Sequence, residues 1–335
     1  MAQSRHWFDL VISDLAHFDQ FPDCAVMALQ VTEFFGFEPL DAEGRAFAEQ
    51  TQCPFVGNAC IKPRHGACSV KPLKLADPVI CCPNRMYAEN FKALLELAQE
   101  VFGVSSILIK PVEAQERRSG LGEPLTGNEV AIFGKYWGNE LPLPRPKGVK
   151  GNDTAKYYVD WIMAKLTADG DLDEIIAVEV QTIDTTGNYS DQAQKFFDGK
   201  EYVDPQGRVR GYSEAGMNWE NVNKRILPQL IYKGHVLRRE SKCKKGLFFV
   251  CPKQVYDRIR DRLGGNLHDY DPGQGTITFR SYELGPSAGA GEHRSMNLHG
   301  QFTTTVDQVA LAFTSPGNLP ERNVYEAAID AAMNF

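Results

Sequence analysis

The sequence lacks any long apolar run. No stretch of the 335 residues approaches the ~18 consecutive apolar residues of a membrane-spanning helix. The first residues contain no apolar segment of the kind that a secretion signal carries. There is also no internal repeat, no phosphate-binding glycine loop and no dinucleotide-binding glycine pattern. We therefore expect a cytoplasmic globular protein that does not bind membranes.

Positive charge is scarce overall but locally abundant. The chain has 36 Lys and Arg against 43 Asp and Glu, a net charge of −7. This balance argues mildly against a nucleic-acid partner, because phosphates must be neutralised by cations. Residues 200–262, however, hold fifteen Lys or Arg against seven Asp or Glu. This excess indicates either a basic binding face or an ordinary solvated helical surface.

Closely spaced cysteine pairs of the zinc-ribbon type are missing, although cysteine itself is not. Five of the eight cysteines lie between residues 53 and 82, and six, seven and thirteen residues separate Cys53, Cys60, Cys68 and Cys82. A cytoplasmic chain would not normally use them as disulfides. Prolines and glycines beside the thiols favour a chain bent around one metal. Four thiolates suit zinc, a single iron or an iron–sulfur cluster. Ordinary buried thiols are the alternative.

Two apolar segments contain carboxylates that a buried strand has no packing reason to include. Residues 157–161 contain Asp160, and residues 177–183 contain Glu179. Because side chains alternate along a strand, Glu179 shares one face with Gln181 while the neighbouring valines point into a core. The nineteen residues from Asp160 to Glu179 allow two strands and a turn, so the carboxylates could lie side by side and bind Mg²⁺. Two unrelated solvent-facing acids are the alternative.

Several further motifs follow one another between about residue 50 and about residue 285. They are Cys53-Pro54-Phe55, Ala59-Cys60-Ile61-Lys62, Gly66-Ala67-Cys68, Cys82-Pro83-Asn84-Arg85, Asn139-Glu140-Leu141, Val159-Asp160-Trp161, Val178-Glu179-Val180-Gln181-Thr182-Ile183-Asp184, Gly187-Asn188-Tyr189 and Asn221-Val222-Asn223-Lys224-Arg225. In this order, the motifs resemble those of the NotI-type restriction endonucleases.

The resemblance implies an α/β (α+β) fold with a PD-(D/E)XK nuclease core, in which helices flank a mixed β-sheet and the active site lies at one sheet edge. It also implies a catalytic cluster of Glu140, Asp160, Glu179 and Gln181, in which Asp160 and Glu179 bind Mg²⁺. The class usually has lysine at the position of Gln181, and the NotI-type enzymes share this departure. Glutamine supplies no positive charge, so the metal must neutralise the charge that develops on the phosphate.

The resemblance further implies that the cysteine motif, at about residues 53–85, holds a structural iron, with zinc as the second choice. The implied ligands are Cys53, Cys60, Cys68 and Cys82, and the adjacent Cys81 stays outside the ligand set. We expect an N-terminal helical region over residues 1–100 that carries this motif. Residues 101–335 would then form the endonuclease domain.

The implied activity is a magnesium-dependent double-strand cut in double-stranded DNA, at a GC-rich palindrome with a GGCC centre. Cutting both strands needs two active sites, which a two-fold homodimer supplies. The proline-rich segment between Glu140 and Asp160 excludes a helix and could instead be a plain surface linker. The candidate DNA-binding cations are Arg145, Lys147, Lys150, Lys224 and Arg225.

Two other functions remain open at this point. One is an iron–sulfur DNA-processing nuclease, in which the cysteines hold a cluster beside a similar core. The other is a catalytically inactive DNA-binding relative, although the complete set of four candidate catalytic residues argues against it. Elsewhere, hydrophobic periodicity predicts helices over residues 87–102, 218–232 and 253–263, and strands over residues 246–250 and 276–284.

Overall fold

Largely buried strands form the centre of the protein. The computed structural model describes residues 28–62, 66–138, 140–143, 158–315 and 321–333. The strands are β1 (Leu29–Phe34), β2 (Ala67–Pro72), β3 (Val79–Ile80), β4 (Ile107–Ile109), β5 (Glu129–Gly134), β6 (Trp161–Leu166), β7 (Leu172–Val180), β8 (Thr185–Thr186), β9 (Gly216–Met217), β10 (Leu247–Pro252), β11 (Thr276–Leu284) and β12 (Met296–Thr305).

Helices connect and cover these strands. The α-helices are α1 (Ala42–Glu49), α2 (Ala88–Phe102), α3 (Pro111–Arg118), α4 (Ser190–Phe197), α5 (Leu227–Leu237), α6 (Lys253–Leu263), α7 (Val306–Thr314) and α8 (Val324–Met333). A short 3₁₀ helix, Pro83–Tyr87, leads into α2, and a π-helical turn, Val222–Ile226, leads into α5. None of the helices in the described ranges combines the length and apolar character needed to cross a bilayer.

The main sheet has seven strands in the order β12-β11-β10-β7-β6-β5-β4. Strand β10 runs parallel to both β7 and β11, and β4 runs parallel to β5. The other neighbouring strands are antiparallel, so the sheet is mixed. The predicted mixed α/β class, with helices flanking the sheet, is therefore confirmed.

Period-two alternation fills a core on each face of this sheet. In β10, Phe248 and Val250 point into the core beneath α2, whereas Phe249 and Cys251 point into the core formed with α5, α6 and α7. All six residues of β10 are buried, as expected for a central parallel strand covered on both faces. The predicted helix over 253–263 and the predicted strand over 276–284 match α6 and β11.

A smaller antiparallel sheet, β1-β2-β3, occupies the N-terminal part of the described chain and packs against α4. The described part of residues 1–100 therefore contains this sheet as well as helices α1 and α2, and the predicted helical region stays a prediction. Residue 100, the predicted domain boundary, falls inside α2, whose Leu94 and Leu97 pack into the core of the main sheet. The division into two domains stays a prediction.

Candidate active site

The pairing of β6 with β7 brings the two predicted carboxylates together. Trp161 pairs with Val178 in the antiparallel register, so one further step places Asp160 opposite Glu179. The Asp160 carboxylate accepts a hydrogen bond of 2.8 Å from the backbone N–H of Val180. The two acids are therefore neighbours, as their spacing in the sequence predicted.

All four predicted catalytic residues line one cavity of about 260 Å³. Asp160, Glu179 and Gln181 come from the ends of two neighbouring strands, and exposed Glu140 comes from the segment that follows β5. The lining also includes residues of the cysteine region and of the turn after β5. They are Ile61, Pro83, Asn84, Tyr87, Lys135 and Tyr136.

The strands beside these residues are displaced from the predicted segments 157–161 and 177–183. Strand β6 begins at Trp161, so Asp160 precedes it, and β7 ends at Val180, so Gln181 follows it. The antiparallel pairing with β6 stops at Trp161, and beyond that point β7 is paired only with β10. Gln181 still donates its backbone N–H to the Val250 carbonyl, at 3.0 Å, which holds it beside the cavity. Asp160 and Gln181 thus both lie just beyond the paired part of β6 and β7.

The expected position at one edge of the sheet also needs correction. Strand β7 is the middle strand of seven, so the site lies at the ends of central strands and not on an edge strand. Helices cover both faces of the sheet here, which leaves only the strand ends open for a side-chain cluster. A site at the end of a central strand can be enclosed on several sides.

Glu179 is unusually well buried for a carboxylate. It lies on the face of β7 that packs toward α5, between Val178 and Val180 of the opposite core. Burial raises the pKa of its carboxyl to about 7, the charge of Asp160 acts in the same direction, and Lys233 opposes both. Its Oε2 atom is buried without a hydrogen-bond partner among the described residues. An unpartnered carboxylate oxygen beside a second carboxylate suits a bound cation.

Lys233 is a site residue that sequence reasoning missed. It projects from α5, and its Nζ atom lies 2.5 Å from Glu179 Oε1. Both side chains are nearly excluded from solvent, with exposed fractions of 5% and 8%. The one signal in the sequence was a lysine among Leu230, Leu237 and other apolar residues of a helix, at a position that faces the core.

Lys135 and Asp184 border the cavity, which Lys233 does not line, and neither was predicted. Burial raises the pKa of Asp160, and the positive charges of Lys233 and of Lys135, which is exposed in the turn after β5, oppose that rise. Asp184 accepts a hydrogen bond of 3.0 Å from Asn221 and lies 3.6 Å from Arg225. The rim of the cavity therefore carries charges of both signs.

The predicted DNA-binding cations are only partly described. Lys224 and Arg225 lie on the π-helical turn, and both are exposed. Arg225 reaches the cavity rim through Asp184, whereas Lys224 pairs with Glu220 at 3.4 Å. The loop residues Arg145, Lys147 and Lys150 lie outside the described residues. The helix predicted from residue 218 starts four residues later, with this turn, and continues as α5.

The cysteine region gathers thiols next to the same cavity. Cys53, Cys68 and Cys82 share one small buried cluster with Phe55 and Ala88. A side-chain hydrogen bond with Cys68 lowers the pKa of the Cys82 thiol to about 7. Burial raises the pKa of the Cys60 thiol to about 11, with further contributions from the neighbouring charges of Cys82 and Cys53. The four predicted ligands are therefore close enough to interact electrostatically.

The adjacent Cys81 and Cys82 point in different directions. Cys81 lies in the core of the small sheet and donates its S–H to the Ala67 carbonyl, at 3.7 Å. Cys82 lies with Cys53 and Cys68 instead. Asn84 links this cluster to the cavity, because its Nδ2 lies 3.6 Å from Cys53 Sγ and its Oδ1 accepts from the Tyr136 hydroxyl at 2.8 Å.

Neither group of ligands forms a complete metal centre as it stands. Within the described ranges, no three His, Cys, Asp or Glu side chains are arranged so that they could hold a metal ion. The seven described cysteines are free thiols. Mg²⁺ is commonly bound by only one or two protein carboxylates plus water, so the Asp160–Glu179 pair still fits it.

Comparison with known families identifies the kind of protein. The family described as restriction endonuclease NotI matches residues 145–257, about a third of the chain. This segment includes Asp160, Glu179, Gln181 and Lys233, whereas Glu140 and the cysteine cluster lie outside it. No curated protein matches the chain.

The matched family implies an enzyme of the restriction endonuclease class, a site-specific deoxyribonuclease whose substrate is DNA. The match over residues 145–257 confirms the resemblance to NotI-type restriction endonucleases seen in the motifs. Restriction endonucleases generally use Mg²⁺.

Proposed function

We propose that this enzyme makes magnesium-dependent double-strand cuts at a GC-rich palindromic DNA site, and that Glu140, Asp160, Glu179 and Gln181 form its catalytic cluster in a PD-(D/E)XK-type core. One observation carries the proposal. Asp160 and Glu179 face each other across the open end of β6 and β7, in a cavity that also contains the other two residues.

Asp160 and Glu179 would hold the catalytic Mg²⁺. The buried, unpartnered Oε2 atom of Glu179 supports this role, because a cation gives that oxygen the partner it lacks. The bound cation would polarise the scissile phosphate and acidify a water. The chain itself offers two carboxylates held in register by neighbouring strands, which limits their movement.

The remaining residues would orient the reactants. Gln181 follows β7 directly and can accept from or donate to the attacking water through its side-chain amide. Glu140 stands at the exposed side of the cavity, where it could hydrogen-bond a water or support a second cation. Lys135, exposed in the cavity lining, is placed to attract the DNA phosphate. In-line attack by water would break the P–O bond and leave a 5′ or 3′ phosphate end.

We also propose a structural iron at Cys53, Cys60, Cys68 and Cys82, with zinc as the second choice. The shared burial of three thiols and the electrostatic coupling of the fourth support this ligand set. The different direction of Cys81 supports its exclusion. Such a site would stabilise the wall of the cavity, since Pro83 and Asn84 follow Cys82 directly and line that cavity.

We propose a homodimer for the active enzyme, located in the cytoplasm. One cavity of this kind cuts one strand, so a symmetric pair is the simplest arrangement for a double-strand cut. The basic residues near the cavity rim, including Arg225, would donate to guanine acceptors in the major groove.

Mapping of cleavage ends tests the main proposal. The purified enzyme is incubated with genomic DNA in Mg²⁺ or in EDTA, and all fragment ends are sequenced. We expect discrete double-strand ends in Mg²⁺ only, flanked by one GC-rich palindrome. Random nicks, or equal cleavage in EDTA, would contradict it.

Two measurements test the accessory proposals separately. Light scattering should give about twice the 37.4 kDa chain mass. Elemental analysis should find about one iron per chain without acid-labile sulfide, whereas equimolar sulfide would instead support an iron–sulfur cluster.

A further inference from the structure

We propose that Lys233 supplies the positive charge of the active site, acting from helix α5 in place of the lysine that the nuclease class carries two residues after its glutamate. It would be a positioning residue that acts through Glu179. This inference rests on the proposed function, because it assigns Lys233 a part in the metal-dependent reaction.

The contact between Lys233 and Glu179 is direct and enclosed. Nζ of Lys233 lies 2.5 Å from Oε1 of Glu179, and neither side chain is more than 8% exposed. In sequence the two residues are 54 positions apart, so only the packing of α5 on β7 and β10 joins them. The pair lies at the strand end where Asp160 and Gln181 also converge.

Helix α5 holds Lys233 in a fixed position. Leu227, Leu230 and Leu237 of this helix are all buried in the core shared with β10 and β11. Gly234, the next residue after Lys233, allows a close approach to α7, because a Cβ atom there would lie 2.5 Å from Val306 Cγ2. The helix can therefore neither rotate nor withdraw without disturbing the core.

A lysine at this position is costly unless its charge is used. The rest of the helix face is apolar, and a leucine or methionine would bury without any loss of hydration. Two acids, Asp160 and Glu179, stand together in the same dry region, while Gln181 adds no positive charge. Lys233 is buried and contacts one member of this acid pair, Glu179.

The geometry also assigns different roles to the two oxygens of Glu179. Lys233 occupies Oε1, and Oε2 is left buried without a hydrogen-bond partner among the described residues. The ammonium thus keeps the carboxylate in one orientation, with one oxygen available for a cation. A lysine at position 181 would approach the same carboxylate from the strand instead of from the helix.

The test removes the charge and then returns it at the position that the class normally uses. Lys233→Gln keeps a hydrogen-bond donor but no charge, and Lys233→Arg keeps the charge. The key variant is the double substitution Gln181→Lys/Lys233→Gln. Lys165→Met is the control, since Lys165 lies on β6 in the same sheet but pairs with Glu174, away from the end of the strand that carries Asp160.

Three quantities are measured for each folded variant: the single-turnover cleavage rate in Mg²⁺, the affinity for Mn²⁺ by electron paramagnetic resonance without DNA, and the thermal midpoint. We expect Lys233→Gln to cleave about 10²-fold to 10³-fold more slowly, as for loss of one preorganised charge. Its Mn²⁺ affinity should fall at least about tenfold, because the Glu179 carboxylate would no longer be held in the orientation that leaves Oε2 available for a cation. The double variant should cleave at least about tenfold faster than Lys233→Gln, while Lys233→Arg and Lys165→Met stay within about tenfold of wild type.

Two results would overturn the inference: wild-type cleavage by Lys233→Gln, or no gain on adding Gln181→Lys to it. If Lys233 were purely structural, its substitution would lower the thermal midpoint, and adding Gln181→Lys would not restore cleavage. If Lys233→Gln does not fold, Gln181→Lys/Lys233→Met replaces it, and failure of that variant to cleave faster than an Asp160→Ala protein would equally overturn the inference. A wild-type enzyme that ignores Mg²⁺ would instead refute the proposed function.

Discussion

Two buried ion pairs near the cavity differ in which of their atoms is left without a hydrogen-bond partner. In the pair of Arg85 and Glu33, both side chains are fully buried, and the guanidinium donates to both carboxylate oxygens at 3.0–3.1 Å. Arg85 also donates to the Arg294 carbonyl at 2.6 Å and lies over the Phe55 ring. The Nη1 atom of Arg85 is buried without a partner among the described residues, whereas in the pair of Lys233 and Glu179 the unpartnered atom is an acceptor, Glu179 Oε2.

The Arg85–Glu33 pair joins two elements of the fold, whereas the Lys233–Glu179 pair leaves an acceptor free at the candidate site. Arg85 ties the 3₁₀ helix to β1, and its planar fork matches the carboxylate of Glu33. Lys233 presents a single ammonium group to Glu179, whose second oxygen remains available beside an open cavity. Equal burial therefore does not mean an equal role, and the unused acceptor is the informative feature.

The largest expected effect comes from substituting Glu179 of the Lys233–Glu179 pair or its neighbour Asp160. Asp160→Ala or Glu179→Ala should reduce cleavage by more than about 10³-fold, because each removes a ligand of the proposed metal. Binding of the cognate DNA in Ca²⁺ should remain largely intact. Single-turnover assays and fluorescence anisotropy measure the two effects, and cleavage within tenfold of wild type would exclude the substituted residue from the catalytic cluster.

Substitutions in the cysteine cluster beside the Arg85–Glu33 pair should have the next largest effect. Serine at Cys53, Cys60, Cys68 or Cys82 should release the metal and lower solubility, because closed thiolate sites contribute directly to folding. Cys81→Ser is the control and should keep the metal, since its thiol bonds to Ala67 instead. Elemental analysis of each purified variant decides, and metal loss from Cys81→Ser with retention in Cys82→Ser would reverse the assignment.

Loss of the Arg85–Glu33 pair should lower stability without changing the cleavage step. Arg85→Ala leaves Glu33 as an unpaired buried charge, so we expect a loss of about 3–5 kcal/mol in the free energy of unfolding. Arg118→Ala breaks an exposed pair with Asp171 and should cost only about 0–1 kcal/mol. Urea denaturation measures both, and similar losses for the two variants would remove the distinction between buried and exposed pairs drawn here.

The smallest expected effect is at the exposed wall of the cavity. Lys135→Ala should slow cleavage by about tenfold, or about 1.4 kcal/mol in the barrier, because its ammonium group would no longer attract the phosphate. Stability should not change, since Lys135 is exposed. Lys195→Ala, on the exposed face of α4, provides the comparison. Equal rates for both variants would leave Lys135 without a part in catalysis.

Much of the site could be predicted from the sequence because its signals are local. The alternation around Glu179 placed that residue on the face opposite its valine neighbours, and the nineteen-residue spacing allowed Asp160 to lie beside it. Helix α6 and strand β11 agreed with their hydrophobic patterns for the same reason. The strand ends near Asp160 and Gln181 were less accurate, because a ladder stops where its partner strand stops.

By itself, the sequence indicated the kind of enzyme and the two acids that the structure brings together, since motifs and period-two patterns depend only on neighbouring residues. Only the tertiary structure decided that β7 is the middle strand, that Cys81 and Cys82 face different cores, and that Lys233 meets Glu179. Each of these facts depends on which elements pack together. Contacts across 54 residues arise from the burial of whole helix and sheet faces, and no local pattern records them.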